Sequence, residues 1–160
     1  MTNFIHHFTT FKTILEKKEK LHTLSGVVLI LDNKILLVNP KKFQGVWRKW
    51  SIPKGHEEDH LTSLQSAIKE LEEEANITLS EERFDKATKD SLEYQKGSAL
   101  KILDYYVLKI THDDLPFKLY NDMILRYFLK KGEICEAGFF TKEEALDLIE
   151  PGQAQVLKYL

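Results

Sequence analysis

Residues 55–77 read GHEEDHLTSLQSAIKELEEEANI, and the second half of this stretch has the pattern of an amphipathic helix. Within it, Glu70, Glu73 and Glu74 follow the spacing i, i+3, i+4, which places three carboxylates on one helix face. Like charges at i and i+4 cost ~0.2–0.5 kcal/mol per pair in an isolated helix, so a cation against this face would be stabilising. Because Mg²⁺ prefers oxygen ligands and is often bound together with substrate phosphates, the stretch predicts metal-assisted phosphate chemistry.

The sequence also marks both ends of this helix. Thr62 and Gln65 have the spacing of a capping box, which predicts that the helix begins at Ser63. Asn76 supports the left-handed backbone conformation that ends many helices. The apolar stripe that we expect to pack inward consists of Leu64, Ala67, Ile68, Leu71 and Ala75.

The composition is that of an ordinary soluble domain of 160 residues, with 42% hydrophobic residues, 30% charged residues and a net charge of −2. This charge gives no general attraction to nucleic acid, so we expect no extended nucleic-acid surface. A single cysteine, Cys135, cannot form an intramolecular disulfide, and residues 1–7 lack the apolar segment of a signal peptide. The longest apolar run, residues 27–31, is far shorter than the ~20 residues of a membrane-spanning helix. We therefore expect a cytoplasmic protein that does not enter a membrane.

Further apolar patterns predict a sheet covered by helices. Strands are predicted at residues 26–31, 35–38, 100–110 and 133–140. Asp-Asn at residues 32–33 predicts a tight turn between the first two strands. Thr141 begins a second capping box, which predicts a helix that ends at residues 151–152, Pro-Gly. Residues 119–129 are apolar but have no period that assigns them.

Pro53-Lys54-Gly55 and the acidic helix after it resemble the Nudix box, G-x5-E-x7-R-E-U-x-E-E-x-G-U, in which U is aliphatic. Six of its nine specified positions match, namely Gly55, Glu70, Leu71, Glu73, Glu74 and Ile77. The approach at residues 50–56, WSIPKGH, and the predicted strand at residues 133–140 also look like Nudix elements. The resemblance covers about residues 25–160.

The resemblance implies an α/β fold, specifically an α/β/α sandwich with a mixed sheet between helices. It also implies hydrolysis of a pyrophosphate bond in a nucleoside diphosphate linked to another group, with Mg²⁺ or Mn²⁺ as cofactor. The Pro-Lys-Gly-His form most resembles members that act on dinucleoside polyphosphates or nucleotides, so the expected partner is a small nucleotide or polyphosphate substrate.

The domain organisation follows from where the resemblance begins. Residues 8–21 have mostly helical apolar spacing with lysines between, which predicts an amphipathic helix that packs on the core. We therefore expect an N-terminal helical extension at residues 1–24 and a Nudix hydrolase domain at residues 25–160.

The resemblance also assigns roles to residues. Glu70, Glu73 and Glu74 match the metal-binding acids, and the backbone carbonyl of Gly55 matches a further ligand. The general base is normally another glutamate, and Glu133 and Glu136 are the candidates. Alternation along a strand puts these two on opposite faces, so we expect one of them to point at the site.

Substrate contacts are predicted from position. Lys54 adjoins Gly55 and the metal-binding face, which favours contact with a phosphate. Core residues are expected among the aromatic residues Trp47, Trp50, Tyr94, Tyr105 and Tyr106, and one or two of these could stack on a base. Alternation along a strand allows only one of Tyr105 and Tyr106 to face a pocket. Trp50 and Tyr105 are the candidates for that contact.

Three positions depart from the box. Leu61 stands where Glu is expected, Lys69 where Arg is expected, and Asn76 where Gly is expected. The first two belong together, since in the family that Glu and Arg look like an ion pair that supports the metal-binding acids. We expect Lys69 to reach Glu58, Glu73 or solvent instead. The metal site would then survive with looser support, and the alternative function is a catalytically weakened module that binds a nucleotide as a sensor or interaction domain.

Residues 56–60, His-Glu-Glu-Asp-His, match the zinc-protease pattern H-E-x-x-H. That pattern requires both histidines on one helix face. Here the helix start signal falls after the pattern, at Thr62, so we expect a loop and no zinc chemistry.

Overall fold

In the computed structural model, the described residues are 22–40, 49–130, 132 and 134–160. The predicted N-terminal helix at residues 8–21 and the candidate base Glu133 lie outside them. The first strand, β1, spans His22–Leu31, so residues 22–24, which were assigned to the N-terminal extension, belong to the sheet.

The sheet has seven strands and is mixed. Its strands are β1, β2 (Lys34–Pro40), β3 (Lys54–His56), β4 (Thr88–Lys96), β5 (Ala99–Ile110), β6 (Met123–Ile124) and β7 (Ile134–Phe140). They lie in the order β4-β5-β1-β2-β7-β6, and β3 pairs with β1 beside this path. The β1–β5 pair is parallel and the other pairs are antiparallel.

The predicted hairpin between the first two strands is confirmed. Asp32 and Asn33 have φ of 50° and 60°, as a two-residue turn of type I′ requires. In β1, Val27 to Leu31 are each at most 3% exposed, because both faces of this central strand are covered.

Helices cover both faces of the sheet. Helix α1 (Ser63–Ala75) packs on one face, where its core residues Ala67, Leu71 and Ala75 join Val27, Leu29 and Leu31 of β1. Helix α2 (Lys142–Leu148) and a 3₁₀ helix (Pro151–Tyr159) cover the other face, where Ala145, Val156 and Leu157 join Val28 and Ile30. Shorter 3₁₀ helices span Glu81–Phe84, His112–Asp114 and Arg126–Phe128. The predicted α/β/α sandwich with a mixed sheet is confirmed.

Both predicted ends of α1 are confirmed. The Thr62 hydroxyl accepts from the Gln65 N–H at 3.1 Å, and the Gln65 side-chain oxygen accepts from the Thr62 N–H at 3.0 Å. At the other end, Asn76 has φ of 54° and ψ of 35°, and its side-chain amide donates to the Phe128 carbonyl at 2.8 Å. This second contact gives a physical reason for Asn where the box has Gly.

Three strands, β3, β4 and β6, and the four 3₁₀ helices were not predicted. In β4 only Leu92 and Tyr94 are buried, so the strand is too polar for the apolar alternation to reveal it. The 3₁₀ helix at Pro151–Tyr159 begins at the proline, where the missing backbone N–H costs little. Helix α2 ends at Leu148, three residues before that proline. Across the described residues, no helix is long and apolar enough to span a membrane.

The contact of Asn76 predicts the effect of restoring the box residue. Asn76→Gly should lower the free energy of unfolding by about 1 kcal/mol, because the hydrogen bond to Phe128 is lost. Asn76→Ala should cost about 1 kcal/mol more, because alanine is strained at this φ. Urea unfolding measures both. The control is Asn33→Gly at a similar φ, where no side-chain hydrogen bond is present among the described residues and we expect little change. An Asn76→Gly variant at least as stable as the wild type would contradict the assignment.

Candidate active site

The acidic face of α1 opens onto a cleft of about 840 Å³. One wall, the acidic wall, carries Glu70, Glu73 and Glu74 of α1 with Lys54 and Gly55 of β3. The cleft is further lined by Leu24, His56, Glu58, Tyr94, Lys96, Lys101, Lys130, Gly132 and Ile134. The structure thus places the predicted acids, Lys54 and Gly55 together. The lysines on the other side of the cleft were not predicted.

Gly55 lets the acidic helix approach β3 closely. A Cβ atom at this position would overlap the carboxylate of Glu70, so Glu70 lies directly against the backbone of β3. Burial raises the pKa of Glu70 to about 7, and repulsion from Glu73 adds to the rise, while Lys69 and Lys54 oppose it. The Glu70 charge is therefore less favourable here than in water, and a cation beside it would be stabilising.

Lys54 and Glu74 join β3 to α1. The Lys54 N–H donates to the Glu74 carboxylate at 2.8 Å. Burial lowers the pKa of the Lys54 ammonium; Glu74 opposes this change, and Lys96 and Lys101 add to it. Lys54 therefore lies between the acidic wall and a second group of lysines, which is the position expected of a phosphate contact.

Lys69 pairs with acids other than the glutamate that the Nudix box has at position 61. Its ammonium pairs with Glu58 and lies 3.7 Å from Glu73, so the prediction that it reaches Glu58 or Glu73 is confirmed for both. The Leu61 N–H donates to the Glu58 carbonyl at 3.0 Å, and this turn brings Glu58 back toward α1. The hydrogen bond from Lys69 lowers the pKa of Glu58.

The opposite wall, the lysine wall, is one face of the β4–β5 hairpin and carries Tyr94, Lys96 and Lys101. Tyr94 pairs with Lys101 in the antiparallel register, and Lys96 lies two residues beyond Tyr94 on the same face. Gly97, with φ of 62°, lies in the turn between the strands. The Gly-Ser dipeptide at residues 97–98 is a hairpin signal that would have placed these side chains together.

The donors of the acidic wall fit a hard divalent cation. They are carboxylates, together with the Gly55 carbonyl, and oxygen ligands of this kind suit Mg²⁺ or Mn²⁺. The Glu70 carboxylate lies against the Cα of Gly55. As placed, no three His, Cys, Asp or Glu side chains within the described residues are close enough together to hold an ion. The glutamate side chains would have to turn toward a common point, which the 52% exposed Glu73 side chain can do.

Two predicted substrate contacts lie elsewhere. Tyr105 is 1% exposed, and its hydroxyl donates to Asp90 at 3.2 Å. Trp50 packs edge-on against Phe140, with ring centroids 5.1 Å apart. Neither lines the cleft, because Tyr105 lies further along β5 and Trp50 precedes β3 on the α2 side. The aromatic residue that lines the cleft is Tyr94.

The candidate bases are separated from the acidic wall or lie outside the described residues. Glu136 is exposed on β7 and lines a different groove of about 440 Å³ with Met123, Leu125 and Arg126. Glu133 lies outside the described residues.

The H-E-x-x-H pattern is not helical. His56 ends β3, and α1 begins at Ser63, so the two histidines do not share a helix face. His60 instead lies 3.4 Å from Glu58.

Comparisons with known proteins agree with this architecture. A family model described as the NUDIX domain matches residues 20–160. The chain is 26% identical over 97 residues to the asymmetrical bis(5'-nucleosyl)-tetraphosphatase of Sus scrofa, an alignment that spans 61% of this chain and 66% of that protein's length.

Solved structures share the fold. The Ap4A hydrolase of C. elegans in a binary complex is similar with a TM-score of 0.62 and 22% identity, over 86% of this chain and 93% of that one. A bifunctional NMN adenylyltransferase/ADP ribose pyrophosphatase from Francisella tularensis is similar with a TM-score of 0.60 and 18% identity, over 88% of this chain and 40% of that one.

The raised pKa of Glu70 predicts how stability depends on pH without metal. The folded chain holds this proton up to about pH 7, whereas the ordinary pKa is 4.5, so the free energy of unfolding should fall as pH rises between these values. Glu70→Gln should remove that fall, since the amide does not titrate. Urea unfolding in the presence of a chelator, from about pH 5 to about pH 8, measures it. The control is Glu82→Gln at an exposed carboxylate, which should keep the wild-type slope. A Glu70→Gln variant with that same slope would contradict the prediction.

Proposed function

Because the chain belongs to the NUDIX domain family, we propose that it hydrolyses a pyrophosphate bond in a nucleotide-type substrate with the help of a divalent cation. The observation that carries the proposal is one cleft with glutamates on one wall and lysines on the other. A phosphate chain and its bound cations need both kinds of group. The similarity to a tetraphosphatase supports a substrate of this type.

The acidic wall would hold the cation. Glu70, Glu73 and Glu74 supply carboxylates, and Gly55 supplies its carbonyl. A bound Mg²⁺ or Mn²⁺ would neutralise phosphate charge and lower the pKa of the attacking water. A cation bound to Glu70 would lower the pKa of this carboxyl, so the candidates for the proton acceptor are Glu133 and Glu136.

The lysine wall would hold the phosphates that lie beyond the cation. Lys54 is beside the acids, and Lys96 and Lys101 face them across the cleft. Ammonium groups bind phosphate oxygens by charge-assisted hydrogen bonds, which are stronger than neutral ones. Lysines on both walls favour a chain of several phosphates, such as a dinucleoside polyphosphate, over an isolated diphosphate.

A second candidate function is nucleotide binding without efficient turnover. The observations that favour it are Leu61 in place of the box glutamate and the absence of a closed three-acid group among the described residues. The pairing of Lys69 with Glu58 argues against it, because support for the acidic face is retained.

Turnover separates the two functions. We expect Mg²⁺-dependent release of product from a panel that includes a dinucleoside tetraphosphate, a nucleoside triphosphate and ADP-ribose, with loss of activity in a chelator. Glu73→Gln should lower kcat/KM by at least roughly 10–100-fold, the range seen when groups that support a metal are removed. Its side chain is half exposed, so the fold should be unaffected. Glu82→Gln is the matched control. Tight binding across the panel without turnover would favour the sensor.

The lysine wall predicts a specific effect on substrate binding. Lys101→Met should raise KM for the preferred polyphosphate substrate by roughly tenfold to a hundredfold, because a charge-assisted contact is lost. Lys109→Met, at an exposed position on the same strand but outside the cleft, is the control. Steady-state kinetics with both variants measures the effect, and an equal KM for the two would contradict the role of Lys101.

A further inference from the structure

Gln153 is a buried polar residue, and both the oxygen and the nitrogen of its side-chain amide form hydrogen bonds. It lies in the 3₁₀ helix at Pro151–Tyr159 and is 1% exposed. Its side-chain oxygen accepts from the Ile52 N–H at 3.2 Å, and its side-chain amide donates to the Tyr94 hydroxyl at 3.3 Å. A buried amide is unfavourable without such partners, so this placement requires both contacts.

The Ile52 contact holds the segment that leads to the acidic wall. Ile52 is two residues before Lys54 and three before Gly55. The neighbouring residue Ser51 exchanges two backbone hydrogen bonds with Val38, at 2.8 and 3.0 Å, on the other side of the segment. On the opposite side, Trp50 exchanges two backbone hydrogen bonds with Leu148 and Glu150, at 3.2 and 2.8 Å, and Gln153 extends this attachment to Ile52.

The hydrogen bond from Gln153 to the Tyr94 hydroxyl connects the 3₁₀ helix to the lysine wall. Tyr94 lines the cleft and pairs with Lys101 in the hairpin register. Gly152, adjacent to Gln153, lies so close to Tyr94 that a Cβ atom there would be 2.5 Å from the tyrosine Cβ. The far end of the 3₁₀ helix is held on the same strand, since Lys158 and the Tyr159 hydroxyl donate to Asp90 at 3.0 and 2.7 Å.

We propose that Gln153 is a positioning residue that, together with the pairing of both walls to β1, fixes the separation of the acidic wall from the lysine wall, and so affects how tightly the cleft holds a chain of phosphates. The proposal rests on the proposed function, because it takes both walls as phosphate-binding. Gln153 itself does not line the cleft. One side chain connects Ile52, ahead of β3, to Tyr94, beside Lys101. Its removal leaves both walls paired with β1 but takes away this second link between them.

The test compares ligands of different length. Gln153→Met keeps the size of the side chain and removes both hydrogen bonds. We expect it to weaken binding of inorganic tripolyphosphate with Mg²⁺ by about fivefold to tenfold and binding of pyrophosphate by less than about twofold. The KM of the best substrate should rise in parallel with the tripolyphosphate Kd. Loss of fold alone lowers the fraction of active protein, and it changes neither the KM nor the ratio of the two Kd values.

The matched control is Gln155→Met, at an exposed glutamine of the same 3₁₀ helix, which should leave both Kd values unchanged. Tyr94→Phe removes the hydrogen bond between Gln153 and Tyr94 by taking away its acceptor. If Gln153→Met does not fold, this variant provides the test, and it should also weaken binding of tripolyphosphate more than binding of pyrophosphate. An unchanged ratio of Kd values in the folded variant overturns the positioning role. Absence of turnover in the wild type would instead contradict the proposed function, while the binding ratio would still report on Gln153.

Discussion

Strand β1 determines where the cleft forms, because its first residues hold both walls. On one edge, Leu24 to Gly26 pair with β3, which carries Lys54 and Gly55. On the other edge, β1 pairs with β5 from its first residue, with His22 opposite Lys101. A Cβ atom on Gly26 would lie 2.6 Å from the Pro53 carbonyl, so β3 can approach this closely only beside glycine. The cleft is therefore a consequence of strand pairing.

The acidic wall carries two charged groups that burial makes less favourable. Burial raises the pKa of Glu70 and lowers that of Lys54, so the charged form of each is less favourable than in water. Direct neutralisation of the two is partial, because Lys54 also faces Lys96 and Lys101. A cation on one wall and phosphates on the other would relieve both. Unfavourable burial of charged groups is typical of functional sites, where side chains are positioned for a ligand and the folded state is less stable as a result.

Local chemistry explains which parts of this arrangement the sequence predicted. The start of α1 at Thr62, its end at Asn76 and the turn at residues 32–33 depend on neighbours within four residues, so the sequence carries them directly. The acidic face follows from helix periodicity alone. The lysine wall depends on the pairing of β4 with β5, and β4 has too few buried residues to be recognised as a strand. Tyr105 and Trp50 were misplaced for a related reason, since alternation assigns a residue to a face of the sheet but not to a position along it.

The support of the acidic face shows how a departure from a family pattern can be compensated. Leu61 cannot form the ion pair expected of a glutamate, yet the turn from Glu58 to Leu61 brings another carboxylate to Lys69. Lys69 also lies 3.7 Å from Glu73, so a cation would compete with it for that carboxylate. This competition is weak, because an exposed ion pair contributes little and Lys69 keeps Glu58 when Glu73 turns away. The ammonium can release one acid while holding the other, which a planar guanidinium bonded to both could do less readily. The substitution therefore preserves the charge balance of α1, and Glu73 could turn toward a metal without leaving Lys69 unpaired. This supports the proposed hydrolase over the nucleotide-binding alternative.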